Sequence, residues 1–295
     1  MPAKPSDARR RDLGAELRRR REIAGLNGLE LARKTGWAQS TISRLEWGQG
    51  AVSELLVMTY LAHCGVSARD AAEVLSLARE TEDGYLVRRD VLRTLVLHET
   101  TTLSITAVAP LLVPGLLQTE DYARAVIGLA GIVEEAEVEP RVSVRMGRQE
   151  LLRRWQPPEF TYFLYEAALR CVIGGIRVMN EQMLHLAFLA GRPQISLRIV
   201  PFEVGRIAAS AGGMTLMDFA DHGPVLYVES QFAGMFVERA EDIKLGRTIL
   251  RDLGDVALDE GQSRELLVQL ASDYDQPTKE PTDAGVAEKQ VQQRE

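Results

Sequence analysis

The sequence predicts two folded regions of different class, an all-α head of five short helices followed by a mixed α/β (α+β) C-terminal domain. Three observations point to this. Up to residue 82 apolar positions recur at three-to-four spacing between glycines, whereas beyond residue 98 runs rich in Thr, Val and Ile alternate with helical segments. The 295 residues, 45% hydrophobic and 26% charged, are enough for two cores. Charge is unevenly divided: residues 1–66 hold 11 Lys and Arg against 7 Asp and Glu, and the remainder holds 24 against 35, within a net charge of −7. A basic head on an acidic body suits a head that meets an anionic polymer.

Residues 1–9 carry no apolar pattern and are expected to be disordered, leaving 10–82 as the head. A helix begins near Asp12, with Leu13 and Leu17 on one face, and ends at the turn bracketed by Gly25 and Gly28. Asn27 is placed to cap a second helix, "GLELARKTG", which Gly36 closes. "AQSTISRLEWG" follows and stops at Gly48 and Gly50. Ser53 and Ser67 open the fourth and fifth helices, which Gly65 separates. Residues 83–98 read as a connecting helix. In the C-terminal domain, 99–274, strands are expected in "TTLSITAVAPLLVPG", "FTYFLYEAAL", "ISLRIVPFE", "GGMTLMDFA" and "GPVLYVESQFAGMFVER". Helices are expected in "TEDYARAVIGLAG", "EPRVSVRMGRQELLRRW" and "IRVMNEQMLHLAFLAG", with a helical pair from Glu241 to Tyr274. The tail, 275–295, has few large apolar residues and is expected to be disordered.

Several classes are disfavoured. No run approaches 18 apolar residues, and no apolar signal-peptide core follows the basic start, so the expected setting is the cytoplasm, without a membrane partner. Cys64 and Cys171 lie in apolar segments and are expected to be buried thiols. Nothing has metal-ligand spacing, and His98, His185 and His222 are scattered through the body, so no metal or cofactor is expected. No catalytic motif occurs there either, and the body is expected to be no enzyme.

In "AQSTISRLEWG", Ala38, Ile42 and Leu45 share one face, which leaves Gln39, Ser40, Ser43 and Arg44 on the other, with Thr41 beside them. Short donors and acceptors plus an Arg suit base edges in a DNA major groove, each good pair discriminating by about 1–3 kcal/mol. Arg33 and Lys34 of the preceding helix, with Arg19 in the run Arg18–Arg21, are candidate phosphate contacts. The segments "LRRRREIAGL", "LARKTG" and "QSTISRLEWG" resemble the Xre/Cro-type helix-turn-helix of phage repressors and bacterial regulators. That resemblance implies base- and phosphate-facing roles for Gln39, Ser40, Ser43 and Arg44, and a structural ion pair between Arg21 and Glu46. It also implies double-stranded DNA as partner, and because one small head offers few base contacts a homodimer on a near-palindrome is expected. The chain departs from the pattern at Ala38, Gly28, Trp47 and Ala51, where a helix cap, a phosphate-binding Gln, an Asn and a Pro are frequent.

In the body, "VPGLLQTEDYARAVI", "RVSVRMGRQELLRR", "FLYEAALRCVIGG", "MNEQMLHLA", "ISLRIVPFEVG" and "PVLYVES" are similar, in order, to the C-terminal domain of actinobacterial Xre-type regulators of the antitoxin-like group. The resemblance implies a transcription regulator, with a small partner protein as one alternative and a small-molecule effector as another. A body acting enzymatically on a nucleotide or metabolite is the third reading. Read directly, Glu166 and Glu229 interrupt apolar strands and need donors. Arg145 and Arg148, at helical spacing with Arg141, could supply them, as could Arg170, either as a closed network or as a ligand or partner site that Tyr162, Tyr165 and Tyr227 could line.

Overall fold

The computed structural model describes residues 7–49, 52–78, 84–87, 91–129, 133–204, 212–230 and 233–275. The expected disorder of 1–6 and of 276–295 lies outside them.

Five helices form the head: α1 (Asp7–Ile23), α2 (Gly28–Thr35), α3 (Gln39–Glu46), α4 (Glu54–His63) and α5 (Ala68–Ala78). Local chemistry sets their ends. Asn27 accepts from the amides of Leu29 and Glu30 while Glu30 accepts from the Asn27 amide, a reciprocal capping box, and Gly36 turns the chain left-handed at φ 73°. Ser53 caps α4 and Ser67 accepts from the Asp70 amide. Leu13, Leu17, Leu31, Ile42, Leu45, Val57 and Tyr60 close the core. α1 begins at Asp7 rather than Asp12, and Arg9 is buried, so residues 7–9 belong to the fold and not to a disordered leader. The reason is a tight crossing of α1 over the end of α3. A Cβ on Gly14 would lie 2.6 Å from the Glu46 carbonyl oxygen, and one on Gly48, at φ 64°, would lie 2.6 Å from that of Arg10.

The body is a seven-stranded sheet covered on both faces. Its strands are β1 (Gly84–Val87), β2 (Ser104–Ala109), β3 (Glu159–Tyr165), β4 (Ile195–Val200), β5 (Met214–Asp218), β6 (Val225–Glu229) and β7 (Gly234–Val237), in the order β1-β7-β6-β5-β2-β3-β4. β2, β3 and β4 pair in parallel and the other neighbours antiparallel. Parallel neighbours need crossovers, supplied by α7 (Glu120–Leu129) and α8 (Glu135–Arg148), then by α9 (Glu166–Arg170) and α10 (Ile176–Leu189). One face carries Ile105, Phe160, Leu164, Ile199 and Met217 under α10 and α12 (Glu260–Asp275). The other carries Val108, Phe163, Leu216 and Leu226 under α11 (Ala240–Val256).

Three expectations are corrected here. The segment Gly84–His98 is not one helix: Gly84–Val87 is an edge strand paired with β7, and helix α6 runs Val91–Thr101. Pairing across some 150 residues of chain leaves no local trace. "FTYFLYEAAL" is a strand only to Tyr165, after which Glu166 begins α9. Cys171, just beyond α9, is exposed rather than buried.

α6 also joins body to head. Asp12 of α1 is fully buried and accepts from the Thr94 hydroxyl at 3.2 and 3.3 Å, while Arg93 lies 3.4 Å from both Asp12 and Glu16. His98, also fully buried, faces Arg11 at 3.5 Å and packs on Phe236. Burial pushes the Asp12 carboxyl up from 3.8 to about 6, against the pull of Arg93. Between pH 3.8 and about 6 the folded state therefore holds a proton at Asp12 that the unfolded chain has released, and this site loses stability as pH rises. Asp12→Asn is expected to gain about 1–3 kcal/mol over the wild type across that interval. Thermal unfolding at a series of pH values measures the difference, and parallel curves for the two proteins would refute the assignment.

Candidate nucleic-acid interface and the polar cluster of the body

α3 is held from behind by Ile42 and Leu45, both buried, one helical turn apart. That orientation leaves Gln39, Ser40, Ser43 and Arg44 exposed, with Thr41 half-buried beside them. Arg33 and Lys34, in the last turn of α2, are exposed as well, and none of these three cations has an ion-pair partner among the described residues. Ala38 offers no side-chain cap, so the first amides of α3 are open to a phosphate oxygen. At α2 the Asn27 side chain already occupies the corresponding amides.

The face is aimed by a polar knot beneath it. Arg21 donates to both oxygens of Glu46, at 2.7 and 3.0 Å, and to the Leu26 carbonyl at 2.7 Å. The Tyr60 hydroxyl donates to the same Glu46 at 2.6 Å. α1, the turn into α2, the end of α3 and α4 thus meet at one carboxylate. The bond to Glu46 holds the Arg21 guanidinium above the ordinary arginine value, and burial, then Glu46, raises the Tyr60 hydroxyl. Arg19 is placed differently from the sequence expectation. Its guanidinium binds Glu16 at 2.9 and 3.2 Å, and Arg20 binds the same carboxylate, so Arg19 serves the α1 network rather than standing free for phosphate.

In the body the structure separates the candidates that the sequence grouped. Glu166, the first residue of α9, accepts from Arg170 at 2.6 Å and from the Phe202 amide at 3.2 Å, a closed structural arrangement. Arg148 instead pairs in a fork with Glu99 of α6, at 2.7 and 3.1 Å, both side chains nearly buried. Arg145 donates to Gln118 at 3.0 Å and makes no ion pair within the described residues. Glu229, the exposed end of β6, lies within electrostatic reach of both arginines. Glu99 and Gln118 escaped the sequence reading. The one signal available was a carboxylate inside the apolar run "VLRTLVLHETT".

A family model described as a helix-turn-helix domain matches residues 12–79, and one described as a domain of unknown function, DUF5753, matches residues 92–269. No curated protein and no solved structure matches the chain. Among the described residues no helix is long and apolar enough to cross a membrane, and no His, Cys, Asp and Glu cluster could hold a metal.

The knot under α3 yields a stability prediction. Glu46→Ala strands the Arg21 charge in a site where its side chain is only 10% exposed, and is expected to cost about 3–5 kcal/mol. Chemical denaturation followed by circular dichroism measures this; a loss under about 1 kcal/mol would mean that the pair acts as a solvated surface bridge.

Proposed function

We propose, on the premise that the chain belongs to the family of the domain of unknown function DUF5753 and carries a helix-turn-helix domain ahead of it, that it is a sequence-specific DNA-binding transcriptional regulator. The observation that carries this reading is the exposed α3 face, whose donors and acceptors are free while its apolar side is locked into the core. α3 enters the major groove, where Gln39 reads adenine and Arg44 reads guanine, with Ser40 and Ser43 on neighbouring edges. Arg33 and Lys34 neutralise phosphate. The motif resemblance supports placement among Xre-type regulators of the antitoxin-like group. One small head makes few base contacts, so the working form is a homodimer on half-sites about one helical turn apart.

The body, in this reading, is a non-catalytic response domain. α6 touches both sides: Thr94 and Arg93 meet Asp12 of the head, and Glu99, on the same helix, holds Arg148 of the body. An occupant that favours one position of α6 would alter operator affinity by about 1–3 kcal/mol.

Base and phosphate contacts are distinguishable by experiment. Arg44→Ala is expected to reduce the ratio of operator to random-sequence affinity by about tenfold or more, whereas the double variant Arg33→Ala/Lys34→Ala weakens both alike and flattens the salt dependence by up to about two charges. Fluorescence anisotropy on both duplexes across a salt series measures each. An unchanged ratio for Arg44→Ala would remove α3 from the base-reading role.

A further inference from the structure

A cleft opens between α6 and the end of α8. It holds about 610 Å³, within the range of roughly 300–1,000 Å³ usual for small-molecule sites. Val96, Glu99 and Thr100 of α6 form one wall, and Val144, Gly147 and Arg148 of α8 form the other. Glu150, Leu151, Arg153 and Arg154, in the segment that follows α8, complete the lining. Val96, Val144 and Leu151 make the walls apolar, and Val144 is 52% exposed, so part of that surface is bare. The two nearly buried charges of the lining, Glu99 and Arg148, are bound to each other at 2.7 and 3.1 Å and together offer no net charge.

The rim is charged differently. Arg153 and Arg154 are both exposed, and neither forms an ion pair among the described residues; Arg154 donates to the Thr100 carbonyl at 2.9 Å. Glu150, also exposed and unpaired among them, lies on the same rim, so two cations face one acid. The excess of one positive charge matches a monoanion. Adjacent guanidiniums beside an apolar wall fit a carboxylate carried on a hydrocarbon body, whose oxygens take the fork donors while the body displaces water from the wall. Gly147 shows that the space is kept clear. It sits in the last turn of α8, where glycine is less favourable than alanine, yet a Cβ there would meet nothing from elsewhere in the fold within 4 Å. No close approach requires this glycine, and the open space beside it belongs to the cleft it lines.

We propose that this cleft binds a small organic monoanion, a carboxylate on an aromatic or aliphatic body, with its oxygens on Arg153 and Arg154 and its body against Val96, Val144 and Leu151. One wall of the site is the back of the junction helix. On α6, Thr94, His98 and Thr101 face the head, where they meet Asp12 and Arg11, whereas Val96, Glu99 and Thr100 lie on the opposite side and face the cleft. An occupant therefore presses on the helix that carries the head contacts. The site deepens the reading of the body as a response domain and rests on that reading only for its effect on DNA. Binding itself is measured without DNA, so failure of either idea leaves the other testable.

The experiment titrates the full chain with benzoate, phenylacetate and hexanoate, followed by calorimetry and thermal shift. Acetate supplies the charge without the body, and phenylacetamide the body without the charge. At least one of the three carboxylates is expected to raise the unfolding midpoint by a few degrees where neither control does. Arg153→Gln and Arg154→Gln each weaken binding by about tenfold, and because both positions are exposed the fold is retained. Glu150→Gln strengthens binding severalfold, since it removes the acid that repels a carboxylate at the rim. Gly147→Leu fills the cleft, so it abolishes the ligand shift while raising the midpoint of the unliganded protein. The proposal is overturned if none of the three carboxylates shifts the midpoint, if a control shifts it equally, if Glu150→Gln weakens binding, or if the arginine variants or Gly147→Leu bind as the wild type does.

Discussion

The two-point bond from Arg21 to Glu46 is the constraint from which the geometry of the head follows. A carboxylate at the C-terminal end of a short helix faces the negative end of the helix dipole and is poorly placed by itself. Glu46 is held there because Arg21 and Tyr60 converge on it, and because α1 approaches α3 closely enough for Arg21 to reach. That approach depends on Gly14 and Gly48, where any side chain would collide with backbone. A helix of eight residues has little stability of its own, so the orientation of the α3 face is a property of this packing and not of α3.

α6 does for the whole chain what Arg21 does for the head. Its buried side presents Thr94 to Asp12, His98 to Arg11 and Glu99 to Arg148, three polar contacts in sequence along one helix. Their ionisation responses oppose one another. Burial lifts the Asp12 carboxyl to about 6 and presses the His98 imidazole down to about 3. His98 contributes stability that is complete above its unfolded value of 6.5 and is lost as pH falls toward 3, whereas Asp12 loses stability as pH rises from 3.8 to 6. The junction is thus built from buried polar contacts whose strength changes with pH.

The sheet converts sequence-distant residues into neighbours. Tyr162 and Tyr227 are separated by 65 residues of chain, yet the register through β2 and β5 places them in one row. Gly234 shows how closely that row is built, since a Cβ there would lie 2.8 Å from the Tyr227 ring. The closed pair of Glu166 with Arg170 lies at the far end of β3, and satisfying Glu166 locally leaves the α8 arginines to other partners.

By itself the sequence determined what is local: the N-caps and glycine stops of the head helices, the periodicity that puts Ile42 and Leu45 inward and Gln39, Ser40, Ser43 and Arg44 outward, and the alternation that marks most strands. These rest on interactions within a few residues, whose energies repeat wherever the pattern occurs. Even the Arg21–Glu46 pair was legible, but only through the resemblance of three short motifs. Tertiary structure alone decided the rest. It drew Arg19 to Glu16, made an edge strand of Gly84–Val87, gave Arg148 to Glu99 instead of Glu166, and set Tyr162 and Tyr227 in one row. Each of those outcomes depends on which carboxylate or strand arrives from far along the chain, and an arginine at helical spacing looks the same in sequence whichever partner it meets.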